Sequence, residues 1–144
     1  MSMAIKPLPY SRYPCSNTSQ LDSLINVNNK PFFKDSVVII YTFLSCKPCH
    51  VLSSKIKKKY NNPNYLKRII FLNNVDYNYE KVCNYINTKK FPFPYLMTKY
   101  PDFNGTYPLI CFHDKNGNLF KKIEGFNRFS MIEIDKFIKS TLKK

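Results

Sequence analysis

The stretch Ser36–His50 reads SVVIIYTFLSCKPCH. From Val37 to Leu44 it is a Val/Ile/aromatic run without alternation of polar and apolar residues, the pattern of a strand that is apolar on both faces. Such a strand belongs in the middle of a sheet with helices on either side. From Pro48 the period becomes helical. Leu52, Ile56 and Tyr60 share one face, and Lys55, Lys57, Lys58 and Lys59 spread around the rest as a solvated surface. Cys46 and Cys49 therefore sit where a central strand hands over to a helix.

That placement has a chemical use. A cysteine at a helix start faces unpaired backbone N–H groups and the positive end of the helix dipole, which favour thiolate over thiol. Lys47 adds a nearby cation. Pro48 suits the first turn of a helix, where its missing N–H costs nothing, and it fixes the backbone between the sulfurs. Two intervening residues bring the second sulfur within bonding range of the first, so the pair can open and close a disulfide. A Cys-x-x-Cys is also half of many zinc sites. The rest of a ligand set is missing here: there is no second Cys-x-x-Cys and no His-x3-5-His, only the scattered Cys15, Cys83, Cys111, His50 and His113. No metal is expected.

Working outward, residues 1–17 carry three prolines and no periodicity and read as an irregular arm ahead of one domain, 18–144. Thr18 or Ser19 can cap a short helix with Leu21, Leu24 and Ile25 at helical spacing. After the break Asn61-Asn62-Pro63-Asn64 a second strand runs from Lys67 to Val75. A helix fits Asn78–Asn87, with Tyr79, Val82, Cys83 and Ile86 on its apolar stripe, so Cys83 is expected in the core. Residues 88–107 read as a long loop with three prolines and six aromatics, expected either to form a lid or docking patch near Cys46 or to pack over the sheet edge. Pro108 opens a third strand, Leu109–His113, and Asn116-Gly117 turns it into a fourth, Leu119–Ile123, paired antiparallel. Ser130 and Glu133 read as a capping box for a last helix with Met131, Ile134, Ile138 and Leu142 on one face. Strands joined through helices imply parallel pairing with right-handed crossovers, and the hairpin adds an antiparallel pair.

Composition sets the bounds. The 144 residues suit one core, and 44% apolar residues exclude a disordered chain. Val37–Leu44, the longest apolar run, is far too short to cross a bilayer, and no signal-like stretch precedes Pro9, so a reducing cytosol is the expected compartment. The net charge of +14 suggests polyanions, but only Arg12, Arg68 and Arg128 among the 23 basic residues are the arginines that bidentate phosphate recognition favours. Sixteen asparagines accompany the lysines, as an A/T-rich coding bias would produce, and nucleic-acid binding is not expected.

Across residues 19–142 the chain resembles thioredoxin and its relatives. The resemblance rests on the apolar strand before Cys46-Lys47-Pro48-Cys49 and the helix after it. It rests further on the Val75-Asp76 strand end, Tyr107-Pro108 ahead of a strand, Asn116-Gly117 in a hairpin, and Gly125 before the last helix. It implies a three-layer α/β sandwich, a central mixed sheet of four to five strands flanked by helices. It also implies a thiol–disulfide oxidoreductase with no bound cofactor, acting on disulfide-containing proteins and recharged by a reductase or a small thiol. Cys46 would be the nucleophile, Cys49 the resolving thiol, and Tyr107 with cis Pro108 the turn that contacts substrate.

Departures accompany the likeness. Ser45 stands where the family carries a tryptophan, and the chain has none. Ile40 replaces the buried acid, and Phe71 or Leu72 its lysine partner. Dropping both leaves no unpaired buried charge. His50, next to Cys49, is then a candidate proton carrier. Glutaredoxin is a competitor through Thr106-Tyr107-Pro108, but Glu124-Gly125 lacks the pair of glycines that holds glutathione. A second functional expectation is a slow-turnover binding or redox-sensing module that holds a protein partner with residues 88–107.

Overall fold

The computed structural model describes residues 11–12, 36–66, 68–76, 78–98 and 105–142. Among them the order is β1 (Ser11–Arg12), β2 (Val37–Thr42), α1 (Lys47–Tyr60), β3 (Ile69–Asn73), α2 (Tyr79–Lys89), β4 (Tyr95–Thr98), β5 (Leu109–His113), β6 (Leu119–Glu124) and α3 (Arg128–Leu142). The expected arm and the short helix near Leu21 fall outside the described residues.

The strands form one mixed sheet in the order β1-β4-β3-β2-β5-β6. The fully apolar β2 lies inside it, as its lack of alternation requires. It runs parallel to β3, with Ile40 opposite Phe71, and antiparallel to β5, with Ile40 opposite Ile110. β3 pairs with β4 in parallel, and β5 with β6 antiparallel through the expected hairpin. At its tip Gly117 takes a φ of 85°, and the Asp114 carboxylate accepts the N–H groups of Asn116 and Asn118.

The β2–α1–β3 and β3–α2–β4 crossovers step across the sheet in the same direction, so right-handedness puts both helices on one face. α3 joins them there. Leu52 and Ile56 of α1, Val82 and Ile86 of α2, and Ile134 and Ile138 of α3 all bury against Val38, Ile40, Ile69, Phe71, Ile110 and Phe112. The alternate strand residues, Val37, Ile39, Ile70, Leu72 and Cys111, form a second buried cluster on the opposite face. The α/β class and the mixed sheet agree with the expectation; counting the two-residue β1 the sheet has six strands rather than four to five, and the three described helices share one face.

Three expectations are corrected. Residues 88–107 are not a continuous loop, because they contain β4. The strand was hidden by Pro92 and Pro94, which argue against a central strand. Pro94, however, contributes only its carbonyl, which accepts the Phe71 N–H at 2.9 Å, so its missing donor costs no ladder bond. The aromatics before it are core: Phe91, Phe93 and Tyr95 cluster on Phe71 with ring centroids 4.7, 5.8 and 6.4 Å away. Tyr100 and Phe103 fall outside the described residues. Second, the capping box of α3 is Asn127 with Ser130 rather than Ser130 with Glu133. The Asn127 side chain accepts the Phe129 N–H at 2.7 Å, and the Ser130 hydroxyl accepts the Asn127 N–H at 3.0 Å. Glu133 instead forms an ion pair with Lys121 at 2.5 Å. Third, Cys83 is not a core thiol: it is half-buried, and its sulfur is disulfide-bonded. Its neighbours Val82 and Ile86 do occupy the buried stripe.

Candidate active site

Cys46 is the N-cap of α1, with extended backbone at φ −86° and ψ 103°. Pro48 sits in the first turn, where no intrahelical donor is needed. Cys46 and Cys49 are joined as a disulfide with their Cα atoms 5.2 Å apart, inside the range that such a bond requires. The Cys49 N–H points at the Cys46 sulfur from 3.2 Å. An amide aimed at Sγ from a helix start is the arrangement that would stabilise a thiolate on Cys46 once the bond is opened. Lys47 and Pro48 are exposed beside it. The Ser53 hydroxyl donates to the Cys49 carbonyl at 2.8 Å and ties the second cysteine to the next turn.

The turn that delivers Cys46 is held through Leu44. Its N–H donates to the Asp76 carboxylate at 2.7 Å, and its carbonyl accepts from His50 Nε2 at 2.5 Å. A carbonyl only accepts, so Nε2 carries a proton, and in the tautomer protonated there alone Nδ1 accepts from the Tyr85 hydroxyl at 3.2 Å. Burial raises the Tyr85 pKa and keeps that hydroxyl a donor. His50 thus grips the backbone two residues before Cys46 and bonds neither sulfur.

Asp76 is in turn placed by Asn73 at the end of β3. The Asn73 amide donates to Asp76 Oδ2 at 3.0 Å and to the Tyr95 hydroxyl at 3.1 Å, while its oxygen accepts the N–H groups of Val75 and Asp76. Asn73 is completely buried. Sequence reading marked Val75-Asp76 only as a strand end and missed Asn73, Asp76 and Tyr85 as parts of the site. The legible signal was the polar pair Asn73-Asn74 closing an apolar strand.

The Tyr107–Pro108 peptide is cis. The Tyr107 ring meets Phe43 edge-on at 4.9 Å, and its hydroxyl donates to Asn74 at 2.7 Å, so this turn is tied to both loops that flank the cysteines. The Pro108 carbonyl accepts the Gly125 N–H at 2.8 Å. Gly125, at φ 81°, supplies the backbone conformation that this close approach needs.

Ile40 and Phe71, opposite each other in the ladder, are both buried, so an apolar pair occupies the place where the resemblance leads one to look for an acid and a lysine. Cys111, the free thiol among the described residues, is buried on the other face, where desolvation pushes its pKa up to about 12 and makes it inert. His113 is buried too, with its pKa lowered by desolvation. Among the described residues no three His, Cys, Asp or Glu side chains gather as a metal-binding group, and no helix is long and apolar enough to cross a membrane.

No family model matches the sequence, and no curated protein matches it either. Solved structures do. A protein disulfide isomerase candidate from Bacteroides thetaiotaomicron superposes with a TM-score of 0.64 at 19% identity, over 86% of this chain and 79% of that one. An uncharacterized thioredoxin-like protein from Porphyromonas gingivalis gives 0.61 at 17% identity, over 83% and 88%. A thiol-disulfide isomerase from Corynebacterium glutamicum gives 0.59 at 17% identity, over 76% and 82%. Identities this low establish the fold: it is thioredoxin-like and carries a Cys-x-x-Cys pair.

Proposed function

We propose that this thioredoxin-like chain is a thiol–disulfide oxidoreductase whose working group is the Cys46–Cys49 pair. The observation that carries the reading is the pair itself, bonded at the start of α1 with the Cys49 N–H directed at the Cys46 sulfur. In the reduced state the Cys46 thiolate attacks one sulfur of a substrate disulfide. A mixed disulfide forms and the other substrate sulfur leaves as a thiolate. The Cys49 thiolate then attacks Cys46 Sγ, the Cys46–Cys49 bond forms, and the second substrate sulfur leaves. Two electrons have passed from the pair to the substrate, and a reductase or small-molecule thiol returns them.

Tyr107 and Pro108 form the turn that faces substrate, and Lys47 and Pro48 tune the sulfurs. His50 contributes by holding the Leu44 carbonyl.

The test is reduction of insulin disulfides with dithiothreitol as electron source. Wild type should accelerate it, Cys46→Ser should not, and Cys49→Ser should accumulate mixed disulfides. Equal rates for wild type and Cys46→Ser end the reading. The buried Ile40 favours a second one, a slow-turnover binding or redox-sensing module, because an apolar side chain stands where the resemblance leads one to look for the acid that would take the Cys49 proton. Residues 88–107 lend that module less than expected, since Phe91, Phe93 and Tyr95 are spent on the core.

A further inference from the structure

Two hollows of about 390 and 460 Å³ open beside α2, the first against α1 and the second against the Leu44-Ser45 and Asp76 loops; they share Leu44, Tyr85 and Lys89, so together they make one groove. One end is lined by Ser45, immediately before Cys46, and by the Asp76 loop. The other runs along α1 past Ser54 to Lys57. Three lysines, Lys57, Lys81 and Lys89, face this groove against a single carboxylate, Asp76. That carboxylate is already committed to the Leu44 N–H and the Asn73 amide.

Local stability does not account for all three cations. Lys57 does have a structural task, since its ammonium donates to the Lys89 carbonyl and joins α1 to the last turn of α2. The Lys89 charge also suits a helix C-terminus. Lys81 runs the other way: it sits in the first turn of α2, where the helix dipole disfavours a cation. The ion pairs formed among the described residues all use Asp135 or Glu133 of α3, and none neutralises Lys57, Lys81 or Lys89. Exposed Lys81 and Lys89 outnumber Glu80 of the same first turn and therefore leave a net positive field within a Debye length, about 8 Å in physiological salt, of any chain lying in the groove.

We infer that this groove docks an acidic, extended segment flanking the substrate's disulfide and feeds that disulfide to Cys46. This rests on the oxidoreductase reading and adds the substrate class to it. The chemistry matches: Asp and Glu side chains meet the Lys81 and Lys89 ammonium groups, while Ser45, Asn84 and Thr88 offer hydrogen bonds to a peptide backbone. Steering of this kind raises association rates chiefly at low salt, on the order of tenfold or more.

The test uses two synthetic peptides with one identical disulfide, flanked on one side by four Glu or by four Lys, and the full chain as catalyst. Wild type should show a kcat/KM ratio, acidic over basic, of roughly ten in 50 mM salt, collapsing toward one in 500 mM salt. Lys81→Glu/Lys89→Glu should bring the low-salt ratio below one, whereas the remote Lys115→Glu/Lys122→Glu should keep the wild-type value. A wild-type ratio near one at low salt, or a ratio equal in wild type and the groove variant, overturns the inference. If no peptide is turned over, the oxidoreductase reading is what fails. The groove is then judged by fluorescence anisotropy of a labelled, cysteine-free acidic peptide. Salt-sensitive binding lost in Lys81→Glu/Lys89→Glu supports the groove, and equal binding by both proteins overturns it. A single-stranded oligonucleotide that binds more tightly than the acidic peptide, and loses that affinity in the same variant, also overturns it, in favour of a nucleic-acid site.

Discussion

Asn73→Ala tests whether the site is assembled from the end of β3. The side chain removed is completely buried and makes four hydrogen bonds: two donated, to Asp76 and Tyr95, and two accepted, from the Val75 and Asp76 amides. Water can replace the acceptor for Val75, which is exposed, and can partly solvate the Asp76 carboxylate. It cannot reach the Tyr95 hydroxyl, which sits in the core and is left without its Asn73 partner. An orphaned buried hydroxyl costs roughly 1–3 kcal/mol, and the remaining bonds contribute about 0.5–1 kcal/mol each, so the expected loss is about 3 kcal/mol. Urea unfolding of the oxidised protein measures it, with an unchanged m-value as the check that two-state behaviour holds. Asn73→Asp is the discriminating partner variant. It keeps the acceptor oxygen, loses both donors, and sets a carboxylate about 3.0 Å from Asp76 Oδ2. Its penalty should shrink from pH 7 to pH 4, because protonating one of two facing carboxyls relieves their repulsion. Losing the grip on Asp76 also frees the Leu44 N–H, so insulin reduction should slow severalfold in both variants. A loss below 1 kcal/mol for Asn73→Ala, or a pH-independent penalty for Asn73→Asp, would refute the reasoning.

Burial lowers the His113 pKa below its ordinary 6.5, so as pH falls through that value the unfolded chain takes up a proton that the folded chain refuses. Stability should therefore be lost between pH 7 and pH 5, by at most about 1.4 kcal/mol per pH unit from this group. His113→Gln should flatten the urea-midpoint profile there, and an unchanged slope counts against the assignment. Gly125→Ala forces an L side chain to φ 81° and brings its Cβ to 3.3 Å from the Thr106 methyl. The expected cost is about 1–2 kcal/mol, together with reduced insulin-reductase activity through the Gly125–Pro108 bond. Wild-type stability and rate would show that this conformation is not required.

Much of the site was legible because it is local. Pro48 in the first turn, the Cys46 cap and the Leu52-Ile56-Tyr60 stripe are set within one helix and its entry, and short-range rules read them directly. β4 was missed because it is short and its identity depends on the Phe71 N–H donating to the Pro94 carbonyl, a partner more than 20 residues away. The α3 cap was misplaced because Ser130 and Glu133 match the capping-box spacing, whereas Asn127, an equally good cap by type, stands three residues earlier and is bonded by Ser130 itself. Cys83 carried the right periodicity for burial, but periodicity reports which face a residue occupies and cannot report what its sulfur is bonded to.

The sequence by itself determined the central apolar strand, the cysteine pair at the helix start and the hairpin, each of which follows from the period and chemistry of neighbouring residues. Only the tertiary structure decided what surrounds the sulfurs. Asp76 and His50 hold the N–H and the carbonyl of one residue, Leu44, Tyr107 reaches both Phe43 and Asn74, and Lys81 and Lys89 of α2 come to flank the same groove as Lys57 of α1. These residues are brought together by the two right-handed crossovers and the burial of one common core, and a partner chosen by packing leaves no mark on the residues adjacent to it in the chain.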